Sequence, residues 1–226
     1  MLIQLVIFDL DGTLIDSLGD LADAMNMVLD ARGYPVHPHD AYRHFVGDGI
    51  EMLVRRALPH DVVDAADIPE VVDQMRREYS SRWLETTRPF PMIPALLARL
   101  RSRGIRTAVL SNKPDFATRS IVDQLFDDGV FDVIRGARDT VPLKPDPTAA
   151  IEIVSDLGVP AALSLFVGDT PIDMKTGRNA GMRTVGVTWG FRGAHELVDA
   201  GADRVIHEPL GLLEFLDASD RRGVSS

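Results

Sequence analysis

Short apolar runs that alternate with helical patterns constrain the fold of this chain more than any other feature. The first run, Leu5–Phe8, is apolar throughout and leads directly into Asp9. Five similar runs follow, at Thr107–Leu110, Phe131–Ile134, Leu163–Val167, Thr184–Val187 and Arg204–Ile206. Segments with helical spacing of apolar residues lie between them, at Pro94–Arg103, Phe116–Phe126 and Thr148–Leu157. Because buried parallel strands read as continuous apolar runs joined by helices, we expect an α/β fold with a Rossmann-like parallel sheet.

Residues 17–89 break this alternation, because their apolar residues follow helical spacing throughout. The first apolar stripe begins at Leu18. Two more helical patterns follow, at Ile50–Leu58 and Pro69–Leu84. We therefore expect a core domain of residues 1–16 and 90–226, with residues 17–89 inserted as an all-helical cap domain that acts as a lid.

The composition excludes several classes of protein. The chain has 226 residues, no cysteine and a net charge of −10. Disulfides, thiolate nucleophiles and Cys-ligated metals are therefore excluded, and the acidic balance argues against nucleic acid as a partner. The sequence has no apolar run long enough for a membrane span and no basic leader at its N-terminus. We expect a cytoplasmic protein with no membrane partner.

Lysine is scarce in this chain, although basic residues are not. Lysine and arginine together number 24. Only three of them are lysines, at Lys113, Lys144 and Lys175. Because a lysine ammonium is a compact point charge that arginine does not replace, each of these positions is a candidate for a specific role.

Four polar segments follow apolar strands of the predicted sheet. They are Asp9–Thr13, Ser111–Pro114, Lys144–Pro147 and Gly168–Asp173. The carboxyl ends of parallel strands share one edge of the sheet, where ligands bind in folds of this kind. The segments supply carboxylates, a hydroxyl and a lysine, a set that suits metal-assisted phosphoryl transfer with a carboxylate nucleophile.

Asp9 and Asp11 admit two interpretations. A DxDG segment after a strand is often only a turn closed by Asx hydrogen bonds. Asp9, however, follows four apolar residues, and two close carboxylates repel each other unless a cation lies between them. Magnesium fits this position, because it is bound by carboxylates together with a phosphate oxygen.

The other segments also have a structural alternative. Ser111 and Asn112 could simply cap a helix, or they could bind phosphate at its start. Lys144 could be an ordinary surface lysine, or its ammonium could offset the charge of a nucleophile and a phosphate. Asp169 and Asp173 could cap the following helix, or bind metal and orient its ligands.

Taken together, these segments resemble the haloacid dehalogenase superfamily of phosphatases over nearly the whole chain. Residues 9–17 match its first motif, Ser111-Asn112 its second, Lys144-Pro145 its third, and Gly168-Asp169 with Asp173 its fourth. Within the superfamily the chain is most similar to phosphoglycolate phosphatases. The matching residues are Val46–Gly49 and Arg55–Leu58 in the cap, together with Ser111–Pro114, Lys144–Pro147 and Gly168–Thr170. One departure is Met92, which stands after Pro91 where that group usually has glycine.

The resemblance implies a role for each motif residue. Asp9 attacks phosphorus to form an aspartyl-phosphate, and Asp11 acts as general acid and then as general base. Mg²⁺ is held by Asp9, the backbone carbonyl of Asp11, and Asp169, with Asp173 supporting the metal shell. Phosphoryl oxygens are held by Ser111, Lys144 and backbone amides near Asn112, and Thr13 supports the first loop. An acid at Asp11 favours a phosphatase or phosphomutase, since the dehalogenases lack one there.

The substrate is then a small phosphate ester, with 2-phosphoglycolate the leading candidate. Three cap arginines are candidates for binding its carboxylate: Arg43, Arg55 and Arg56. For any single one of them, a place on a solvated helix face is the favoured interpretation. A broad sugar-phosphate phosphatase, a pyrophosphatase, a β-phosphoglucomutase-like enzyme and a non-catalytic binding relative remain alternatives. A monomer and a homodimer are equally compatible with the sequence.

Overall fold

The computed structural model describes residues 2–63 and 67–223. The chain divides into two compact units. One comprises Met1–Leu14 and Pro89–Ser226, and the other comprises Ile15–Arg88.

The first unit is built on a parallel sheet. Its strands are β1 (Leu5–Phe8), β4 (Arg106–Pro114), β5 (Val133–Ala137), β6 (Ser164–Gly168), β7 (Arg183–Val187) and β8 (Arg204–Ile206). Among the described residues they form a 6-stranded sheet in the order β5-β4-β1-β6-β7-β8. Every neighbouring pair is parallel, and Leu5 of β1 pairs with Arg106 on one side and Ser164 on the other. The predicted α/β fold with a parallel sheet is confirmed.

Helices cover this sheet. They are α5 (Ile93–Ser102), α6 (Asp115–Leu125), α7 (Thr148–Leu157), α8 (Pro171–Asn179), α9 (Ala194–Asp199) and α10 (Gly211–Gly223). The central strand β1 is completely buried, as its apolar sequence requires. A core cluster joins Ile7 of β1, Leu110 of β4 and Phe166 of β6 to Ile153 of α7. This packing holds the carboxyl ends of the central strands side by side.

Two strand predictions were wrong at their ends. Strand β4 continues past Leu110 to Pro114, because Pro114 still pairs with Ala137 of β5 after an irregular register between Leu110 and Pro114. Strand β5 begins later than predicted, at Val133, and runs to Ala137. The segment Ser111–Pro114 therefore belongs to a strand, and helix α6 begins only after it.

The second unit consists mainly of helices. They are α1 (Leu18–Ala31), α2 (Tyr42–Phe45), α3 (Ile50–Ala57) and α4 (Ile68–Arg82). Helix α1 packs against α4 through the apolar stripes that the sequence predicts, and Met25 and Met75 are fully buried. Two short strands, β2 (Ile15–Asp16) and β3 (Arg88–Pro89), pair with each other. Among the described residues, no helix is long and apolar enough to cross a membrane.

The buried carboxylate of Asp20 ties helix α1 to the segment after α4. It accepts hydrogen bonds from the backbone and hydroxyl of Thr86 at 2.9 and 2.5 Å, and from those of Thr87 at 3.0 and 2.7 Å. Burial opposes its ionisation, but these four bonds outweigh that effect and keep the pKa of Asp20 below its usual value. Asp20 thus holds Thr86 and Thr87, near the end of the helical unit, against helix α1.

Candidate active site

The polar segments of the first unit gather at one edge of its sheet. Asp9 follows β1, Ser111 lies within β4, Lys144 follows β5 and Asp169 follows β6. Because these strands are parallel, their carboxyl ends meet, as expected for a ligand-binding edge. All four residues are buried.

Lys144 connects two of the carboxylates at this edge. Its Nζ lies 2.7 Å from Oδ1 of Asp9 and 2.7 Å from Oδ1 of Asp173. Burial lowers the pKa of Lys144, but the two carboxylates outweigh burial and raise it above its usual value. Lys144 is therefore an ammonium at neutral pH.

Asn112 holds the backbone of Lys144 in place. Its amide donates to the Lys144 carbonyl at 3.2 Å, and its Oδ1 accepts from the Lys144 amide N–H at 2.9 Å. This reciprocal pair joins β4 to the loop after β5. The side chain of Asn112, which the sequence suggested as a phosphate ligand, thus positions Lys144.

Three buried carboxylates lie close enough to share a cation. Each of Asp9, Asp169 and Asp173 offers an oxygen within 4.8 Å of the others. Burial raises the pKa of Asp9 well above its usual value, although the ammonium of Lys144 opposes the rise. Burial and the neighbouring Asp173 raise the pKa of Asp169 to about 7. Crowded, desolvated carboxylates of this kind fit a hard divalent cation, which would relieve their repulsion.

Two further groups fix the orientation of Asp169. Its Oδ1 accepts from the Thr13 hydroxyl at 3.1 Å, and its Oδ2 accepts from the backbone N–H of Phe191 at 2.7 Å. Gly12 and Gly190 allow this close packing: a Cβ at Gly190 would collide with the Gly12 carbonyl oxygen and would lie 2.5 Å from the Asp169 carboxylate. Gly190 and Phe191 were not predicted as site residues, although they follow β7 at the same sheet edge.

Asp173 combines a structural role with its place at the site. Thr170 begins helix α8 with a capping box, in which Oδ2 of Asp173 accepts from the Thr170 backbone N–H at 3.0 Å and hydroxyl at 2.7 Å. Its other oxygen, Oδ1, contacts Lys144. The capping and functional interpretations of Asp173 are therefore compatible.

Asp11 has a different partner from the other three acids. Its Oδ1 lies 3.2 Å from Nζ of Lys113, and the two side chains are 13% and 7% exposed. Oγ of the buried Ser111 accepts from the backbone N–H of Lys113 at 3.1 Å. In the sequence, the scarcity of lysine and the position within Ser111–Pro114 mark Lys113, but neither feature predicts its contact with Asp11.

The three candidate arginines lie in the helical unit, and each forms an ion pair there. The contacts are 2.9 Å for Arg43 with Asp40, 2.9 Å for Arg55 with Glu51, and 2.6 Å for Arg56 with Asp48. Arg56 also donates to the Phe45 carbonyl at 3.2 Å, which ties α3 to the end of α2. Their part in substrate binding stays a prediction.

The parallel sheet and the acidic residues at its edge agree with the family to which the chain is similar in sequence. The sequence model of the haloacid dehalogenase-like hydrolases matches residues 6–187, and the chain belongs to this family. Crystal structures agree with that assignment. A protein from Lactobacillus delbrueckii subsp. bulgaricus has a TM-score of 0.89 at 31% identity, covering 96% of this chain and 99% of that one. A haloacid dehalogenase-like family hydrolase from Streptococcus pneumoniae has a TM-score of 0.85 at 26% identity, covering 94% and 98%.

Curated relatives narrow the class to phosphatases similar to phosphoglycolate phosphatases. The phosphoglycolate phosphatase of Pseudomonas putida is 36% identical over 215 residues, which are 93% of this chain and 78% of that protein. That of Aquifex aeolicus is 32% identical over 214 residues, which are 95% of this chain and 97% of that protein. The family and enzyme class predicted from the sequence are confirmed.

Proposed function

We propose that this protein hydrolyses 2-phosphoglycolate to glycolate and phosphate through an aspartyl-phosphate on Asp9. The observation that carries the proposal is the contact of Lys144 with Asp9 beside two further buried carboxylates. The phosphoglycolate phosphatases among the relatives support this choice of substrate.

The chemistry begins at the carboxylate of Asp9. The ammonium of Lys144 favours the ionised form of this carboxylate and so opposes the effect of burial. One carboxylate oxygen forms the bond to phosphorus. The phosphorus–ester bond breaks, and Asp11 gives a proton to the leaving oxygen. Lys144, the Ser111 hydroxyl and the backbone N–H near Asn112 hold the phosphoryl oxygens.

The second step frees the enzyme. Asp11, now a carboxylate, takes a proton from water while the water oxygen attacks phosphorus. The acyl-phosphate bond breaks, phosphate leaves and Asp9 is restored. The same residue thus serves as acid in the first step and as base in the second.

Mg²⁺ is the proposed cofactor. Asp9, Asp169 and the backbone carbonyl of Asp11 would hold it, with Asp173 supporting the shell. When bound, the ion supplies positive charge that polarises the phosphoryl group. Thr13 and the backbone N–H of Phe191 keep Asp169 directed toward this position.

The helical unit is the proposed cap over the active site. As a cap, it would admit small esters and exclude water during the first step. Arg43, Arg55 and Arg56 remain its candidate ligands for the substrate carboxylate.

Phosphate release from a panel of phosphate compounds tests the proposed function. The panel contains 2-phosphoglycolate, glucose 6-phosphate, β-glucose 1-phosphate and pyrophosphate, each with Mg²⁺ and with chelator. We expect the highest kcat/KM for 2-phosphoglycolate, loss of activity with chelator, and an inactive Asp9→Asn variant. Conversion of β-glucose 1-phosphate to glucose 6-phosphate without phosphate release would instead indicate a mutase. An Asp9→Asn variant as active as the parent would rule out the covalent step.

A further inference from the structure

Lys113 is the one lysine at the sheet edge that the proposed mechanism does not use. Its side chain is only 7% exposed, and its Nζ lies 3.2 Å from Oδ1 of Asp11. Lys144 contacts Asp9 and Asp173, and Lys175 is exposed on α8. A buried lysine needs a charge partner or a ligand, since burial of an ammonium is costly.

The backbone of Lys113 is fixed on both sides. Its N–H donates to Oγ of Ser111 at 3.1 Å, and its carbonyl accepts from the Thr118 hydroxyl at 3.1 Å. Gly136 of the neighbouring strand packs against that carbonyl, where a Cβ would come within 2.6 Å of the oxygen. The ammonium is therefore carried on a rigid stretch of β4, as a residue that selects between substrates should be.

We propose that Lys113 binds the carboxylate of the substrate's leaving group and so selects esters of 2-hydroxy acids. This inference rests on the proposed function, in which Asp11 contacts the leaving oxygen. In such esters one carbon separates that oxygen from the carboxylate carbon, so the carboxylate lies within about 4 Å of it. A cation in contact with Asp11 is thus next to the position that the carboxylate takes.

The contact with Asp11 does not prevent this role. An ammonium has three N–H donors, so Lys113 can bind a substrate carboxylate and Asp11 together. The three arginines of the helical unit differ in this respect, because their partners Asp40, Glu51 and Asp48 belong to that unit and not to the reacting groups.

The test compares 2-phosphoglycolate with its neutral amide, phosphoglycolamide, in the full-length protein with Mg²⁺. The variants are Lys113→Met and Lys113→Gln, and Lys175→Met is the matched control. We expect the ratio of kcat/KM for the acid to that for the amide to fall about 10- to 100-fold in both Lys113 variants, mainly through KM. The control should keep the parent ratio. Turnover of the amide also shows that each variant is folded.

The outcomes separate the inference from the proposed function. If the parent prefers 2-phosphoglycolate but both Lys113 variants keep its ratio, the inference is overturned while the proposed function stands. An equal loss on both substrates also overturns it, because Lys113 would then act only through Asp11. If the ratio falls in Arg43→Ala, Arg55→Ala or Arg56→Ala and not in the Lys113 variants, selection belongs to the helical unit. A parent without any preference for the acid overturns both proposals.

Discussion

Nζ of Lys144 lies 2.7 Å from Oδ1 of Asp9, and both side chains are buried at the carboxyl edge of the sheet. The same ammonium contacts Asp173 at 2.7 Å. One buried cation therefore serves two carboxylates from different parts of the chain. The ammonium of Lys144 opposes the rise that burial causes in the pKa of Asp9.

Loss of this ammonium should abolish most of the activity. In Lys144→Met, Asp9 and Asp173 lose their shared partner, and the pKa of Asp9 rises further. We expect kcat to fall at least about 10²-fold, as when a charge-stabilising donor is removed from an active site. Phosphate release at saturating substrate measures it.

Two controls show whether a loss of activity in Lys144→Met is due to the missing ammonium. Lys175→Met removes an exposed lysine and should keep parent activity. The melting temperature of Lys144→Met shows whether the variant is folded under assay conditions. A folded Lys144→Met with parent kcat would contradict the proposed role.

The crowded carboxylates should make stability depend on pH and on metal. The pKa of Asp169 is raised to about 7 from 3.8, so the folded state holds its proton more tightly than the unfolded state. This stabilisation is complete below the unfolded value and is lost as pH rises through the folded value. Without metal, the free energy of unfolding of the parent, relative to Asp169→Asn, should therefore fall between about pH 4 and about pH 7.

Mg²⁺ should stabilise the folded protein most at high pH, where the carboxylates have lost their protons. The ion competes with protons for these carboxylates, so its shift of the melting temperature should be larger at about pH 8 than at about pH 5. Asp169→Asn should reduce that shift at the higher pH. A shift that is equal at both pH values and unchanged in Asp169→Asn would argue against metal binding at this edge.

Much of the fold could be predicted from the sequence because the central strands are buried on both faces. Leu5–Phe8 is apolar at every position, and the structure has β1 with the same bounds. Prediction failed at Ser111–Pro114, which reads as a loop because it is polar. Pro114 at its end nevertheless pairs with Ala137 of β5, and no side-chain pattern predicts that pairing.

The candidate site was predictable where strand ends carry charged residues. Asp9, Lys144 and Asp169 meet because parallel strands end at one edge. The contact of Phe191 with Asp169 was not predictable in the same way, since it is made by a backbone N–H that any residue would supply. The contact of Lys113 with Asp11 was not predictable either, because it depends on how β4 lies beside β1, and a sequence pattern does not specify that placement.

Met92 is expected to destabilise the protein through its backbone conformation. Its φ is 67°, in the left-handed region that disfavours side chains and favours glycine. The side chain is half-exposed, so it contributes little packing. We expect Met92→Gly to raise the free energy of unfolding by about 0.5–1 kcal/mol, measured by urea denaturation.

A second methionine provides the control for that prediction. Met27 is similarly exposed but lies inside helix α1, so Met27→Gly should lower the free energy of unfolding by about 1 kcal/mol. A destabilising effect of the same size in Met92→Gly would contradict the prediction. It would show that the Met92 side chain stabilises the fold by more than the backbone strain destabilises it.

Gly190 should be essential for activity although it carries no functional group. A Cβ at this position would collide with the Gly12 carbonyl oxygen and press against Asp169, so Gly190→Ala must move one of the two loops that form the acidic edge. We expect kcat/KM to fall at least about 10-fold, since small displacements of catalytic groups are costly. Gly193→Ala is the matched control, because nothing lies within 4 Å of its added Cβ and its φ is −79°. The control should keep near-parent activity, and parent activity in Gly190→Ala would mean that the site tolerates a displaced Asp169.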